Sequence, residues 1–188
     1  MNFKVQHTCS NKGGNKQVLK DFPYLSIYNP QENKTPFLGE GYYFWDYNLE
    51  YAKVWGKNHY SNEYFICQSE ISIDSEKDGY FLDLAGNREH LVGFVGLLWE
   101  FNLIHKDGTE GIDLCYIIDY LRTQCPSEVF PFEVIRAVDY ENNEQVGIKI
   151  VFNQGKKSFT ILNPRVIISF KNKENIVHLN EPFIVYSS

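Results

Sequence analysis

Residues 38–56 read LGEGYYFWDYNLEYAKVWG, and this stretch decides what the rest of the chain can be. Two glycines enclose a glutamate, and four aromatic residues follow directly. The run 41–45 predicts a strand, because aromatic residues favour a pleated, half-buried backbone. Alternation along that strand places Tyr43 and Trp45 on one face and their neighbours on the other. Only half of these rings can therefore line a cleft.

A helix is expected directly after this strand. Asp46 or Asn48 can cap it, since either side chain can accept a hydrogen bond from a free N–H of the first turn. We expect the helix to run to residues 54–55 and to end at Gly56, because glycine is a common helix terminator. The stretch thus predicts a strand, a turn and a helix that together build one wall of a ligand site.

The bulk composition sets limits on the remaining possibilities. A chain of 188 residues with 43% hydrophobic residues predicts a single domain, 1–188, with a substantial core. The net charge of −6 gives no broad attraction to nucleic acid or to an anionic membrane. No apolar segment has the length of a membrane span, and Lys4 interrupts the position of a signal-peptide core, so we expect a cytoplasmic protein without membrane contact. The four scattered cysteines predict reduced thiols and no metal site.

Outward from this stretch, the pattern predicts an α+β protein with mostly antiparallel strands. We expect no helix between residues 11 and 37, where turn-forming residues and three prolines interrupt the pattern. Helices are expected from Asn87 until a break at Gly108, and over 112–121 with Pro126 closing the second. The remaining strands are expected at residues 3–7, 64–73, 79–84, 132–138, 147–152 and 165–170. Residues 24–28 are expected to form a short strand or a surface loop, and residues 183–186 an edge strand or a tail.

Three of these segments together resemble a known family. They are His7-Thr8 at the end of the first strand, Gly41-Tyr42-Tyr43-Phe44 leading into the helix of 48–55, and the late strand 165–170. In this order they resemble the ADP-ribosyltransferase superfamily, on the diphtheria-toxin and poly(ADP-ribose) polymerase side. The closer resemblance is to uncharacterised bacterial members, and it spans most of the chain.

The resemblance implies split antiparallel β-sheets, a helix after the second strand and a helical pair in mid-chain. It also implies NAD+ as the substrate, without a metal. Tyr43 would be the platform for the cationic nicotinamide ring, which suits a π face, and Tyr51 or Trp55 would supply a second wall. His7 would bind a ribose hydroxyl, and the backbone of Thr8 would hold the carboxamide. Tyr43 and, on the late strand, Arg165 would be the catalytic residues.

Two departures from the family pattern stand out. Thr8 replaces the usual glycine after the histidine, and the late strand offers no acid where many transferases carry a catalytic glutamate. The glutamates nearest in sequence lie outside that strand, at Glu128, Glu133 and Glu174.

Three hypotheses about function therefore stand. The first is an intracellular bacterial toxin or phage-defence effector that modifies protein or nucleic acid, with an antitoxin as a candidate partner. The second is a non-catalytic interaction module with a degenerate NAD+ site. The third is a cysteine-dependent hydrolase. It rests on Cys9 and His7, which lie two residues apart and so point to the same side of a strand.

Overall fold

The structure is a computed structural model, which describes residues 1–32, 34–74, 80–104, 112–139, 149–153, 158–161 and 163–188. The expected break at Gly108, the first residue of the strand expected over 79–84 and the first two residues of the strand expected over 147–152 lie outside these ranges. The strands are β1 Asn2–Ser10, β2 Leu25–Ser26, β3 Gly41–Asp46, β4 Tyr64–Ser72, β5 Phe81–Asp83, β6 Val134–Val138, β7 Lys149–Asn153, β8 Ser158–Ile161, β9 Val166–Phe170, β10 Val177–His178 and β11 Phe183–Ser187. The helices are α1 Gly14–Asp21, α2 Leu49–Tyr60, α3 Arg88–Glu100 and α4 Leu114–Gln124, with two short 3-10 helices at Pro30–Glu32 and Lys173–Asn175. The predicted α+β class is confirmed.

Nine strands form one curled sheet in the order β10-β4-β1-β3-β9-β6-β5, with β11 also paired to β4 and β2 to β3. All neighbours are antiparallel except β5 and β6, which are parallel. β7 and β8 form a separate hairpin. The expected split into two sheets is thus corrected to one continuous sheet. The pairing at the centre of this sheet is short, because only two residue pairs, Val5–Asp46 and Gln6–Trp45, join β1 to β3.

The two faces of the sheet carry two hydrophobic clusters, as the alternation in β3 predicts. Trp45 belongs to the cluster beneath α2, α3 and α4, and Tyr43 packs against it. Phe44 belongs to the opposite cluster, which includes Val18 of α1, and Tyr42 packs there. No helix in the described part of the chain is long and apolar enough to cross a membrane.

Three expectations about helices were wrong. α3 ends at Glu100, although this helix was expected to continue until a break at Gly108. α1 occupies part of the stretch expected to be irregular, because Gly13 takes a left-handed conformation (φ 89°) just before it and Val18 becomes fully buried. α2 continues past Gly56 to Tyr60, and the left-handed residue that ends it is Ser61. Gly56 instead fits against the ring of Tyr64, so its missing side chain serves close packing of α2 on β4.

Two of the three predicted helix starts are confirmed, and α4 begins at Leu114, two residues after the expected start. Asn48 is the cap of α2, and its side chain accepts a hydrogen bond from the Tyr51 N–H at 3.3 Å. Asn87 caps α3 in the same way, with bonds from the N–H groups of residues 89 and 90. Asp46, the other cap candidate, forms an ion pair with Arg136 instead. The Asn48 amide also donates to the Asn163 side chain at 2.7 Å, which fixes the start of α2 to the loop before β9.

Candidate functional site

A cleft opens where β1 and β3 separate. Pairing between these strands stops at Gln6 and Trp45, whereas β1 stays paired with β4 along its whole length. Beyond that point the His7 imidazole bridges the gap, with Nδ1 2.7 Å from the Tyr43 carbonyl oxygen. A side chain thus takes the place of a backbone ladder bond, which keeps the strands together while holding them apart.

The cleft has a volume of about 1220 Å³. All six residues that the family resemblance selects line it, although they come from four separate segments of the chain: His7, Thr8, Tyr43, Tyr51, Trp55 and Arg165. The charged residues of its described wall are two cations, Lys34 and Arg165, and two carboxylates, Asp113 and Asp139. These charges balance, so the charged side chains give the wall no net charge.

The backbone N–H and C=O of Thr8 point toward β3, across the gap in which the cleft lies. The Met1 carbonyl accepts a hydrogen bond from the Ile73 N–H, and the Asn11 N–H donates to the Glu63 carbonyl. Because bonded positions alternate along an antiparallel pair, the odd-numbered residues of β1 form the backbone hydrogen bonds to β4. Thr8, an even residue, therefore directs its N–H and C=O away from β4, at a level where no β3 residue is paired with it.

The side chain of Thr8 is fixed by two hydrogen bonds. Its Oγ1 donates to the Ala52 carbonyl at 3.0 Å and accepts from Trp45 Nε1 at 3.2 Å. These bonds tie β1 to α2 and to the aromatic strand. The Thr8 side chain therefore has a structural role, because its two bonds restrain residue 8 against α2 and β3.

His7 is a buried, neutral imidazole. Desolvation lowers its pKa from 6.5 to about 4, against the opposing effect of its bond to Tyr43. Nδ1–H donates to the Tyr43 carbonyl, which leaves Nε2 to accept from the Tyr24 N–H at 3.3 Å. Both ring nitrogens are therefore engaged. A ribose hydroxyl could bind His7 only by replacing the longer bond to Tyr24.

Tyr43 is a half-buried ring whose hydroxyl is fixed at the turn before β3. The hydroxyl donates to the Gly39 carbonyl at 2.5 Å and accepts from the Leu38 N–H at 2.7 Å. Burial raises the pKa of this phenol, so it stays protonated and neutral. The two bonds fix the position of the ring in the cleft wall.

Four aromatic rings lie together on the α2 side of the cleft. The Trp45 ring stacks on Tyr51 at 6.5 Å and meets the edge of Trp55 at 5.9 Å. His59 stacks on Trp55 at a centroid distance of 3.7 Å. Tyr51 is only 4% exposed and has Trp45 against one face, so its ring is poorly placed to serve as a second stacking wall.

Arg165 is held beside these rings by an acid that the sequence analysis did not single out. Its Nη2 lies 2.7 Å from Asp139 Oδ2, and the Asp139 N–H donates to the Arg165 carbonyl at 2.8 Å. The guanidinium carbon lies 5.6 Å from the Trp45 ring centre and 5.9 Å from that of Trp55. Asp139 directly follows β6, and only the pairing of β6 with β9 brings it to Arg165.

The acids of the cleft do not come from the late strand. Asp113, just before α4, and Asp139 line the cleft, whereas β9 contributes none. Glu133 lies elsewhere and accepts a hydrogen bond from Asn172 at 2.8 Å. Glu128 and Glu174 are exposed and are not among the cleft residues. Among the described residues no group of three or more His, Cys, Asp or Glu side chains is arranged to hold a metal ion.

The thiol of Cys9 is unsuited to nucleophilic chemistry. Cys9 is 3% exposed, and a hydrogen bond with Cys67 together with burial raises the pKa of its thiol. A thiol that stays protonated supplies little of the reactive thiolate. This environment speaks against the hydrolase hypothesis.

Comparison of the chain with protein-family models, with curated proteins and with solved structures finds no match.

Proposed function

We propose that this chain is an NAD+-dependent ADP-ribosyltransferase of a single domain, 1–188. The observation that carries the proposal is the cleft between β1 and β3, which gathers all six residues that the family resemblance selects. These six residues come from four separate segments of the chain, between positions 7 and 165. Their convergence on one cleft supports the resemblance.

The geometry suits the nicotinamide half of NAD+. A carboxamide offers one N–H donor and one C=O acceptor, and the cleft-facing N–H and C=O of Thr8 are the complementary pair. The Tyr43 ring, fixed through its hydroxyl, would stack on the cationic pyridinium. Binding of this kind holds the nicotinamide ribose in one pose, which supplies much of the rate of bond cleavage.

In the proposed reaction the bond between ribose C1′ and the pyridinium nitrogen breaks, and its electron pair neutralises the nicotinamide. The ribose becomes an oxocarbenium-like cation, which a nucleophilic X–H group of the acceptor attacks at C1′. The products are nicotinamide, the ADP-ribosylated acceptor and one proton. The acceptor belongs to a protein or a nucleic acid, and the role of an intracellular toxin or defence effector, with an antitoxin as partner, is part of the proposal.

The test is incubation of the purified chain with NAD+, with chromatography for free nicotinamide and a thermal melt for binding. We expect NAD+ to raise the melting temperature and nicotinamide to accumulate with time. Tyr43→Ala, checked for folding by circular dichroism, is expected to abolish release. Tyr120→Phe, on the exposed side of α4, is the matched control and is expected to behave as the unaltered chain.

A second candidate function is a non-catalytic interaction module. Two observations favour it: both nitrogens of His7 are engaged, and the guanidinium of Arg165 lies against the Trp45 and Trp55 rings. On this hypothesis NAD+ neither stabilises the chain nor yields nicotinamide, and a stable protein partner is recovered instead. The same pair of measurements therefore separates the two candidates.

A further inference from the structure

Two residues that line the cleft each carry a buried polar atom without a hydrogen-bond partner among the described residues. These atoms are the hydroxyl oxygen of Tyr51 and Nε of Arg165. Tyr51 is 4% exposed, and both residues line the cleft. A buried donor without a partner costs free energy, so natural proteins rarely keep one unless water or a ligand completes it.

The two side chains lie beside the same indole ring. Trp45 contacts both side chains, with the Tyr51 ring at 6.5 Å and the guanidinium carbon of Arg165 at 5.6 Å from its own ring centre. The charges of Arg165 and of its partner Asp139 both act on the Tyr51 phenol, whose pKa is raised chiefly by burial. The phenol therefore stays protonated and can donate.

The charge around Tyr51 and Arg165 determines whether a phosphate oxygen or a hydroxyl oxygen of a ligand can bind there. Asp139, 2% exposed behind Arg165, compensates the guanidinium through its ion pair at 2.7 Å. A phosphate here would meet a carboxylate as well as a cation. An uncharged hydroxyl meets no such penalty, and it can both accept and donate, as the Tyr51 hydroxyl can.

We propose that the Tyr51 hydroxyl and Arg165 Nε form a subsite for a ribose hydroxyl, with Asp139 positioning Arg165. The subsite deepens the proposed function, on which its assignment to NAD+ rests. Tyr51 then acts through its hydroxyl, which differs from the stacking role that the sequence suggested for it.

The experiment measures dissociation constants by calorimetry for three uncharged or phosphate-free probes: nicotinamide riboside, adenosine and nicotinamide. The variant is Tyr51→Phe, which removes only the unpartnered hydroxyl and leaves the buried ring in place. Tyr120→Phe is the control. We expect Tyr51→Phe to weaken the binding of a riboside about fivefold, the usual effect of one lost hydrogen bond, and to leave nicotinamide binding unchanged.

Each outcome has a definite meaning. If the riboside binds and Tyr51→Phe leaves its affinity unchanged, the subsite is refuted while the proposed function stands. If no nicotinamide compound binds but adenosine does, and Tyr51→Phe weakens it, the subsite stands and the proposed function fails. If no ribose-bearing probe binds the unaltered chain, both fail.

Salt dependence separates a ribose site from a phosphate site. The loss of affinity for NAD+ in Tyr51→Phe is expected to be equal at low and high salt, because the hydroxyl contact involves no net charge. A loss that shrinks at high salt, with no loss for the riboside, would assign the pair to phosphate and overturn the ribose assignment.

Discussion

Replacement of Gly56 by alanine tests how α2 is held against the sheet at the side of the cleft. In most helix interiors this change stabilises a protein by about 0.5–1 kcal/mol, because glycine loses more backbone entropy on folding. Here a Cβ atom would lie 2.6 Å from Cγ of Tyr64 and closer still to Cδ2 and Cε2. Ordinary carbon contacts lie at about 3.5–4.0 Å.

The ring of Tyr64 cannot readily move away. It is 2% exposed, it stacks on Tyr186 at 5.5 Å, and its hydroxyl donates to the Lys53 carbonyl at 3.2 Å. Overpacking of a buried site costs about 1–3 kcal/mol, and two fixed partners place this case at the upper end. After the helix gain of about 1 kcal/mol is subtracted, Gly56→Ala should lower the free energy of unfolding by about 2 kcal/mol.

The assay is thermal and urea unfolding followed by circular dichroism. For a chain of this size a loss of about 2 kcal/mol lowers the melting temperature by about 4–8 °C. The matched control is Gly93→Ala in α3, where a Cβ would meet nothing within 4 Å. We expect that control to gain about 1 kcal/mol, since only the backbone effect remains.

A double-mutant cycle identifies the cause of the loss. In a Tyr64→Leu background the ring atoms are gone, so Gly56→Ala should cost much less than in the unaltered chain. The reasoning is refuted if Gly56→Ala is as stable as the unaltered chain while Gly93→Ala stabilises as expected. In that case α2 would not be fixed by close packing at this position, and the placement of Tyr51 and Trp55 would need another explanation.

Three further predictions concern the cleft. The pKa of His7 in the folded chain, about 4, lies below its ordinary 6.5. As the pH falls, His7 is therefore protonated at a higher pH in the unfolded chain than in the folded chain. The contribution of His7 to the free energy of unfolding is fully present above pH 6.5, and about 3 kcal/mol of it is lost as the pH drops toward 4. Urea unfolding of His7→Gln should show a shallower dependence across this window. Asp139→Asn leaves Arg165 without its ionised partner and should cost about 3 kcal/mol in urea unfolding, with part recovered by a second change, Arg165→Met; an equal loss in the double variant would contradict this. Tyr43→Phe keeps the ring but loses two hydrogen bonds, so it should destabilise the chain by about 1–2 kcal/mol in thermal unfolding while nicotinamide release continues; loss of release in the folded variant would contradict a platform role.

Local patterns predicted most elements because their signals are short-range. Asn48 and Asn87 cap helices through bonds to residues two or three positions away, and the sequence shows both. The alternation in β3 fixed which face each ring would occupy. α1 was missed because its support is a single buried valine and a left-handed glycine, neither of which makes a strong periodic signal.

Sequence by itself therefore determined the fold class, most strands and the six residues proposed for the site. The tertiary structure alone decided their chemistry. It paired Asp139 with Arg165 across neighbouring strands, engaged both nitrogens of His7, and packed Gly56 of the opening stretch against Tyr64 instead of ending α2 there. The physical reason is that caps and alternation depend on near neighbours, whereas burial, ion pairing and close contact depend on residues that only the pairing of distant strands brings together.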